Sequence, residues 1–262
     1  MYPKRCFMIS IAFIASSLFA HSTIAETTEI NLSFIGDKTS LAYKGVKQGK
    51  DEANIQGVFL GQQYAITASP ESSTAILAAV DADSLRQLSK SHPNKAIFNL
   101  VSAQNKLRSE CLPNVLHIIP SQAMNQDAIT QWKKKRPNDS VKAQTWHPSF
   151  RKYAAGQLNV RFTESSQIEM DDTAWAGWAA VKLLSDSVAR SQLKDSTLLL
   201  NFIKTKLAFD GQKGMSLSFR ETGQLRQPIL LIKNEQIIGE APVRGIANTT
   251  NLDSLGLTSC LK

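Results

Sequence analysis

The stretch that decides the fold is residues 30–68, INLSFIGDKTSLAYKGVKQGKDEANIQGVFLGQQYAITA. Ile30 to Gly36 alternates apolar and small polar positions and stops at Gly36-Asp37, which reads as a strand running into a loop. Ala42, Val46, Gly49 and Ala53 then recur at helical spacing and form one face of small residues, a face that lets a helix lie close to its neighbour. Gly57 and Gly61 interrupt the pattern, and Gln63 to Ala68 resumes as a second strand. Strand, helix and strand with short connections make a βαβ unit, the building block of a parallel sheet.

The rhythm continues outward. Ser72 to Ala79 opens on capping-type residues and runs apolar, and Asp83 is expected to cap a helix to about Ser89. Lys95–Val101 and Asn114–Ile119 are compact apolar runs suited to buried strands, and Ser121 is placed to cap a helix through Trp132. Residues 26–132 therefore read as half of an open α/β sheet with helices on both faces. Residues 133–145 are polar and contain proline, and read as a linker. Residues 146–262 complete the domain. Phe150, Ala154, Leu158 and Phe162 predict a helix capped by Ser149. Asp171 or Asp172 begins another carrying Ala174, Trp178, Val181 and Val188, and Ser196 to Leu207 makes a third. Alternation at Met215, Leu217 and Phe219, then Pro228–Lys233 and Ile237-Ile238, predicts a C-terminal β-meander of three strands.

Lys4 and Arg5 precede an uncharged run from Cys6 to Ala20, with Thr23 and Ala25 as small residues before a cut at Ala25/Glu26. That is the pattern of a cleavable secretory signal over residues 1–25, and it predicts a periplasmic protein. No later segment is long and apolar enough to span a bilayer. The formal charge of +8 falls to +6 once Lys4 and Arg5 are removed. Apart from Lys133-Lys134-Lys135-Arg136 the charges are scattered, and no aromatic residues interleave with them, so no nucleic-acid partner is expected. Cys111 and Cys260 remain after processing, an even count that predicts a disulfide in an oxidising compartment.

Several segments resemble a known family. Asp51-Glu52-Ala53-Asn54 with Gly57, Leu60 and Gly61, the helices Phe150–Phe162 and Ala174–Leu184, and Phe209-x-Gly211-x-x-Gly214 resemble the type I periplasmic solute-binding proteins of leucine/isoleucine/valine ABC transporters. Three further segments resemble the branch associated with PQQ-dependent alcohol dehydrogenase systems. These are Glu110-Cys111 with Leu116-His117-x-Ile119-Pro120-Ser121-x-Ala123-Met124, then Trp146-His147-Pro148, and lastly Ser218-Phe219-Arg220 with Gly223-Gln224-Leu225-Arg226-Gln227-Pro228-Ile229-Leu230-Leu231. The resemblance implies a binding lobe, ABC-transporter membrane subunits as partners, and a link to a periplasmic PQQ-dependent dehydrogenase. It also implies that most of a second lobe, inserted in this family after the helix ending near Trp132, is missing. A scaffold that holds no solute and a calcium or rare-earth ion binder stay open as alternatives.

Open α/β sheets bind ligands at the loops beyond the carboxyl ends of their strands. That rule points to Gly36-Asp37, Ser69, Ala79, Ser102, Gln104 and Asn105. By resemblance, Ala79, Ser102, Gln104 and Asn105 are the expected ligand contacts. Glu164, Glu169, Asp171 and Asp172, like Asp81 and Asp83, lack the spacing of a calcium loop, and helix capping explains Asp171 or Asp172 as well, so no metal or other cofactor is expected. His92, His117 and His147 accompany no catalytic motif. His117 lies in an apolar run and reads as a packed, satisfied side chain, and His147 before proline reads as structural. No enzyme is expected.

Overall fold

The computed structural model describes residues 27–260, so the expected signal over residues 1–25 lies outside the described residues. β1 (Thr28–Gly36), β2 (Gln62–Thr67), β3 (Ala75–Ala79), β4 (Ala96–Asn99) and β5 (Val115–His117) form a wholly parallel sheet in the order β2-β1-β3-β4-β5. Alternation sorts its side chains between two cores. Ile30, Leu32, Phe34, Leu77 and Phe98 face one core, and Ile76, Ala78 and Ile97 face the other. The sheet thus carries helices on both faces, as expected. Its helices are α1 (Leu41–Leu60), α2 (Ala82–Ser91), α3 (Asn105–Ser109), α4 (Gln122–Lys135), α5 (Ala155–Ser166), α6 (Asp172–Ser191) and α7 (Ser196–Lys206).

The small-residue face of α1 serves a helix rather than the sheet alone. A Cβ on Gly45 would lie 1.9 Å from the Ala174 carbonyl oxygen, and one on Gly177 would lie 2.2 Å from that of Ala42. α1 and α6 therefore touch backbone to backbone, and Trp178 reaches past the contact to donate from Nε1 to Glu52 at 2.8 Å. Burial works to raise the Glu52 pKa, but hydrogen bonds from Arg161, Trp178 and Gln48 hold it below the usual value. The carboxylate stays charged and ties α5 to the same seam through Arg161 Nε at 2.8 Å.

Several caps differ from expectation. α2 is capped by Asp81, whose Oδ1 accepts from Ser84 N at 2.8 Å, and Asp83 sits in the first turn, paired with Arg86. The preceding strand begins only at Ala75, after a turn in which Ser73 bonds back to Pro70. Ser149 does not cap α5. Its hydroxyl is 2.7 Å from His147 Nδ1, and Tyr153 at φ +57 breaks the helical path, so α5 starts at Ala155 behind Ala154. Ser121 and Asp171 cap α4 and α6 as expected.

The C-terminal β-structure divides into two hairpins. β7 (Ser218–Phe219) pairs with β8 (Leu225–Arg226), and β9 (Ile229–Lys233) pairs with β10 (Gln236–Ala241). β9 takes its other neighbour from far upstream: β6 (Lys142–Gln144) completes a sheet in the order β10-β9-β6. Of the segment 133–145, residues 133–135 close α4 and 142–144 form β6. Met124, Ala128 and Trp132 of α4 pack on Ile229, Leu231 and Ala241 of this small sheet. Cys111 and Cys260 are bridged, with Cα atoms 5.8 Å apart.

Gly177→Ala should lower unfolding free energy by about 2–4 kcal/mol in urea denaturation, because its methyl can only be admitted by parting two backbones. Gly61→Ala, where φ is +60 but nothing lies within 4 Å, should cost only about 1 kcal/mol.

Candidate functional site

The parallel sheet reverses its winding between β1 and β3, and the loops beyond them meet there. A Cβ on Gly36 would stand 2.8 Å from the Ala79 carbonyl oxygen, so the two strand exits run side by side. Asp37, Lys38, Thr39 and Asp81 are exposed around them, while Ala79 and Val80 are half-buried. Hydrogen bonds from Thr39 hold the Asp37 carboxyl below its ordinary pKa, and those from Ser84 do the same for Asp81. The lip is therefore anionic, with backbone oxygens beside two carboxylates. Such a lip accepts hydrogen bonds from an ammonium or hydroxyl group.

The next loop is organised differently. Arg108, on α3, is 1 % exposed and its guanidinium gathers oxygens from three segments. It donates to the carbonyls of Ser102 (2.5 Å), Gln104 (3.1 Å) and Ile119 (2.9 Å), and to Gln224 Oε1 (2.9 Å). Burial pulls its pKa down to about 9, which leaves it charged at neutral pH. Of the four expected contacts, Ser102 and Gln104 thus have their carbonyls turned to Arg108. Asn105 Oδ1 accepts from Ala123 N at 2.8 Å at the start of α4, and Ala79 alone lies on the anionic lip.

Asn99 shapes the same loop. Its Oδ1 accepts from Ser102 N, and its Nδ2 donates to Ser102 O and lies 2.9 Å from His117 Nδ1. His117 is fully buried, as expected, but only half satisfied: Nε2 has no hydrogen-bond partner among the described residues. Burial, assisted by the Arg108 charge, pushes its pKa well below the ordinary value, so the ring is neutral.

The string Arg220–Gln227 caps the exit of β5. Gly223 O accepts from His117 N at 2.8 Å. Gln224 Nε2 donates to the His117 and Ile119 carbonyls, and Gln227 Nε2 donates to Ile118 O. Arg220 donates to Asp253 Oδ1 and to the carbonyls of Leu252 and Leu257, fastening the C-terminal segment to the same place. None of these roles was read from the sequence, although the run of polar residues between apolar ones was its signal.

A buried lysine sits below the small sheet. Lys213 Nζ donates to Thr145 O (2.6 Å), Thr145 Oγ1 (2.8 Å) and Pro228 O (3.2 Å), and lies 4.4 Å from the Trp175 ring centroid. Burial pulls its pKa down to about 7, against the opposing pull of Asp172 and Glu240. Burial likewise raises Asp172 to about 6, although its Oδ1 accepts from Trp146 N at 2.8 Å. His147 packs nearby with Nε2 3.6 Å from Glu235. Among the described residues no three His, Cys, Asp or Glu side chains converge as a metal site would require.

No family model matches the chain, and no curated protein matches it. Solved structures do. A branched-chain amino acid ABC transporter periplasmic ligand-binding protein from Burkholderia xenovorans is 10% identical with a TM-score of 0.66, over 81% of this chain and 95% of that one. The branched-chain amino acid transporter substrate-binding protein LivJ from Streptococcus pneumoniae, solved with isoleucine, is 10% identical with a TM-score of 0.64, over 82% and 99%. An ABC transporter substrate-binding protein from Sphaerobacter thermophilus is 10% identical with a TM-score of 0.66, over 82% and 96%. At these identities the likeness defines the fold: the parallel sheet and its helices match one lobe of a type I periplasmic binding protein. No helix among the described residues is long and apolar enough to cross a membrane.

Arg108→Met should destabilise the protein by about 3–5 kcal/mol in chemical denaturation, because four buried acceptors lose their donor. Asp172 gives a pH signature. Its native pKa lies above the unfolded one, so the native state keeps a proton that the unfolded chain releases between about pH 4 and 6. Stability relative to Asp172→Asn should therefore fall as pH rises through that window, by about 2–3 kcal/mol in denaturation curves at pH 4 and pH 7.

Proposed function

We propose that this chain is an exported, solute-binding-type component of an ABC importer, acting in the periplasm beside a PQQ-dependent alcohol-oxidising system. The observation that carries the reading is the open lip where β1 and β3 emerge. It occupies the switch point at which doubly wound sheets hold ligands, and its polar groups are exposed. Ala79 belongs to that lip. Ser102, Gln104 and Asn105 would complete the contact surface with the polar groups not already engaged within the fold. The transporter's membrane subunits would be the partners, and residues 133–145 would stand in place of most of a second lobe. Like the solute-binding proteins it resembles, the chain would be no enzyme.

A second reading is favoured by Arg108 and Asn105, which turn the β4 loop inward. In that reading the lobe is a scaffold that contacts the dehydrogenase or the transporter and holds no solute. A lone lobe leaves a ligand facing water, where each polar contact is weakened.

Thermal-shift measurement on the purified protein separates the two. Amino acids, alcohols, aldehydes, PQQ, calcium and lanthanide ions would be screened. A true solute at about 100 times its Kd should raise Tm by about 5–10 °C. A flat response to every compound would overturn the solute-binding reading and leave the scaffold.

A further inference from the structure

The loop Phe209–Ser216 forms a fixed crest between two open clefts. It is pinned from below: Trp175 Nε1 donates to Gly211 O at 3.1 Å, Lys213 turns inward onto Thr145 and Pro228, and Phe209 bridges to Leu217. Gly214 and Met215, at the top, line both clefts, so the two abut there. One cleft, of about 550 Å³, has Trp178, Phe209 and Met215 on its apolar side and Lys182, Asp186 and Asp210 on its charged side. The other, of about 630 Å³, lies among Lys152, Tyr153, Glu240, Arg244, Thr249 and Thr250.

The second cleft is cationic. Lys152 is paired with Glu240, which leaves the exposed Arg244 with no ion pair among the described residues. Lys135 Nζ donates to the Arg244 carbonyl at 2.9 Å and adds positive charge to the mouth. Tyr153 is 60% exposed, yet its ring is held in place. It stands directly on Gly214, where a Cβ would fall 2.1 Å from the ring and where φ is +74. Arg244, Tyr153 and Met215 thus line one cleft, and Met215 carries the lining on to Phe209 in the other.

We propose that this double cleft binds a small amphiphilic carboxylate. Its anionic head is held by Arg244, and its apolar body lies over Tyr153 and Met215 towards Phe209. A planar guanidinium matches a carboxylate through two parallel hydrogen bonds, while the body removes ring and thioether surface from water. Neither cleft includes Ala79, Ser102, Gln104 or Asn105, so failure here leaves the carboxyl-edge reading untouched.

Isothermal titration calorimetry of the purified protein with sodium octanoate tests this. 1-Octanol, which lacks the anion, and inorganic phosphate, which lacks the apolar body, are run beside it. Saturable octanoate binding is expected, with both comparison compounds much weaker. Arg244→Gln should weaken octanoate at least about tenfold. Met215→Glu should do the same, and the exposed Arg244 position keeps the test decisive should that variant fail to fold. Absence of saturable octanoate binding overturns the proposal. So does affinity unchanged in Arg244→Gln, or phosphate or octanol binding as tightly as octanoate.

Discussion

A guanidinium sealed from water must be surrounded by oxygen acceptors, and this demand at Arg108 organises the carboxyl end of the sheet. Desolvating such an ion costs several kcal/mol, and among the described residues no carboxylate is placed against it to offset that. Three backbone carbonyls and the Gln224 amide take that part instead. The β4 loop, the exit of β5 and the string before β8 are thereby held in one arrangement, since moving any of them strands a buried polar group. Gln224 and Gln227 also donate to carbonyls at and just beyond the end of the short edge strand β5.

The α/β frame was legible because its signals are local. Alternation at Ile30–Gly36 and small residues at Ala42, Val46 and Gly49 report on strand and helix without knowledge of distant partners. The same is true of Ser121 and Asp171, which each cap the helix that follows them. What was not legible depends on contacts across long separations. β6 is three residues long, too short to show a period, and is a strand only because β9 lies beside it. Arg108 has an unremarkable local context, and one of its four acceptors, Gln224, lies 116 positions later. Asp83 and Ser149 are plausible caps by type, and both lost to backbone geometry at Asp81 and Tyr153. At the candidate site the loop positions were legible, but not the direction of their polar groups. Only the fold shows that Ser102 and Gln104 face Arg108.

Two parts of the molecule follow different design logics. Around α1 and α6 the packing is intimate, with glycines at the crossing and three tryptophans buried on or near the seam. The small sheet packs one face on α4 and turns Leu230 and Ile232 to the main core, and a buried lysine lies among its neighbours. The first logic makes a rigid platform. The second leaves clefts around the Phe209–Ser216 crest, where chemistry can vary without disturbing the platform.

The bridge between Cys111 and Cys260 also sets an order of events. The two thiols are 149 residues apart, so the first waits, unpaired, while everything between them is synthesised. During that interval the platform can pack α1 against α6, yet Arg220 cannot meet Asp253, nor Gly256 the carboxylate of Asp127. Closure is thus a late step that records whether the C-terminal segment has been laid down in the right place. A chain bridged at these two positions is one whose C-terminal segment has reached the turn after α3.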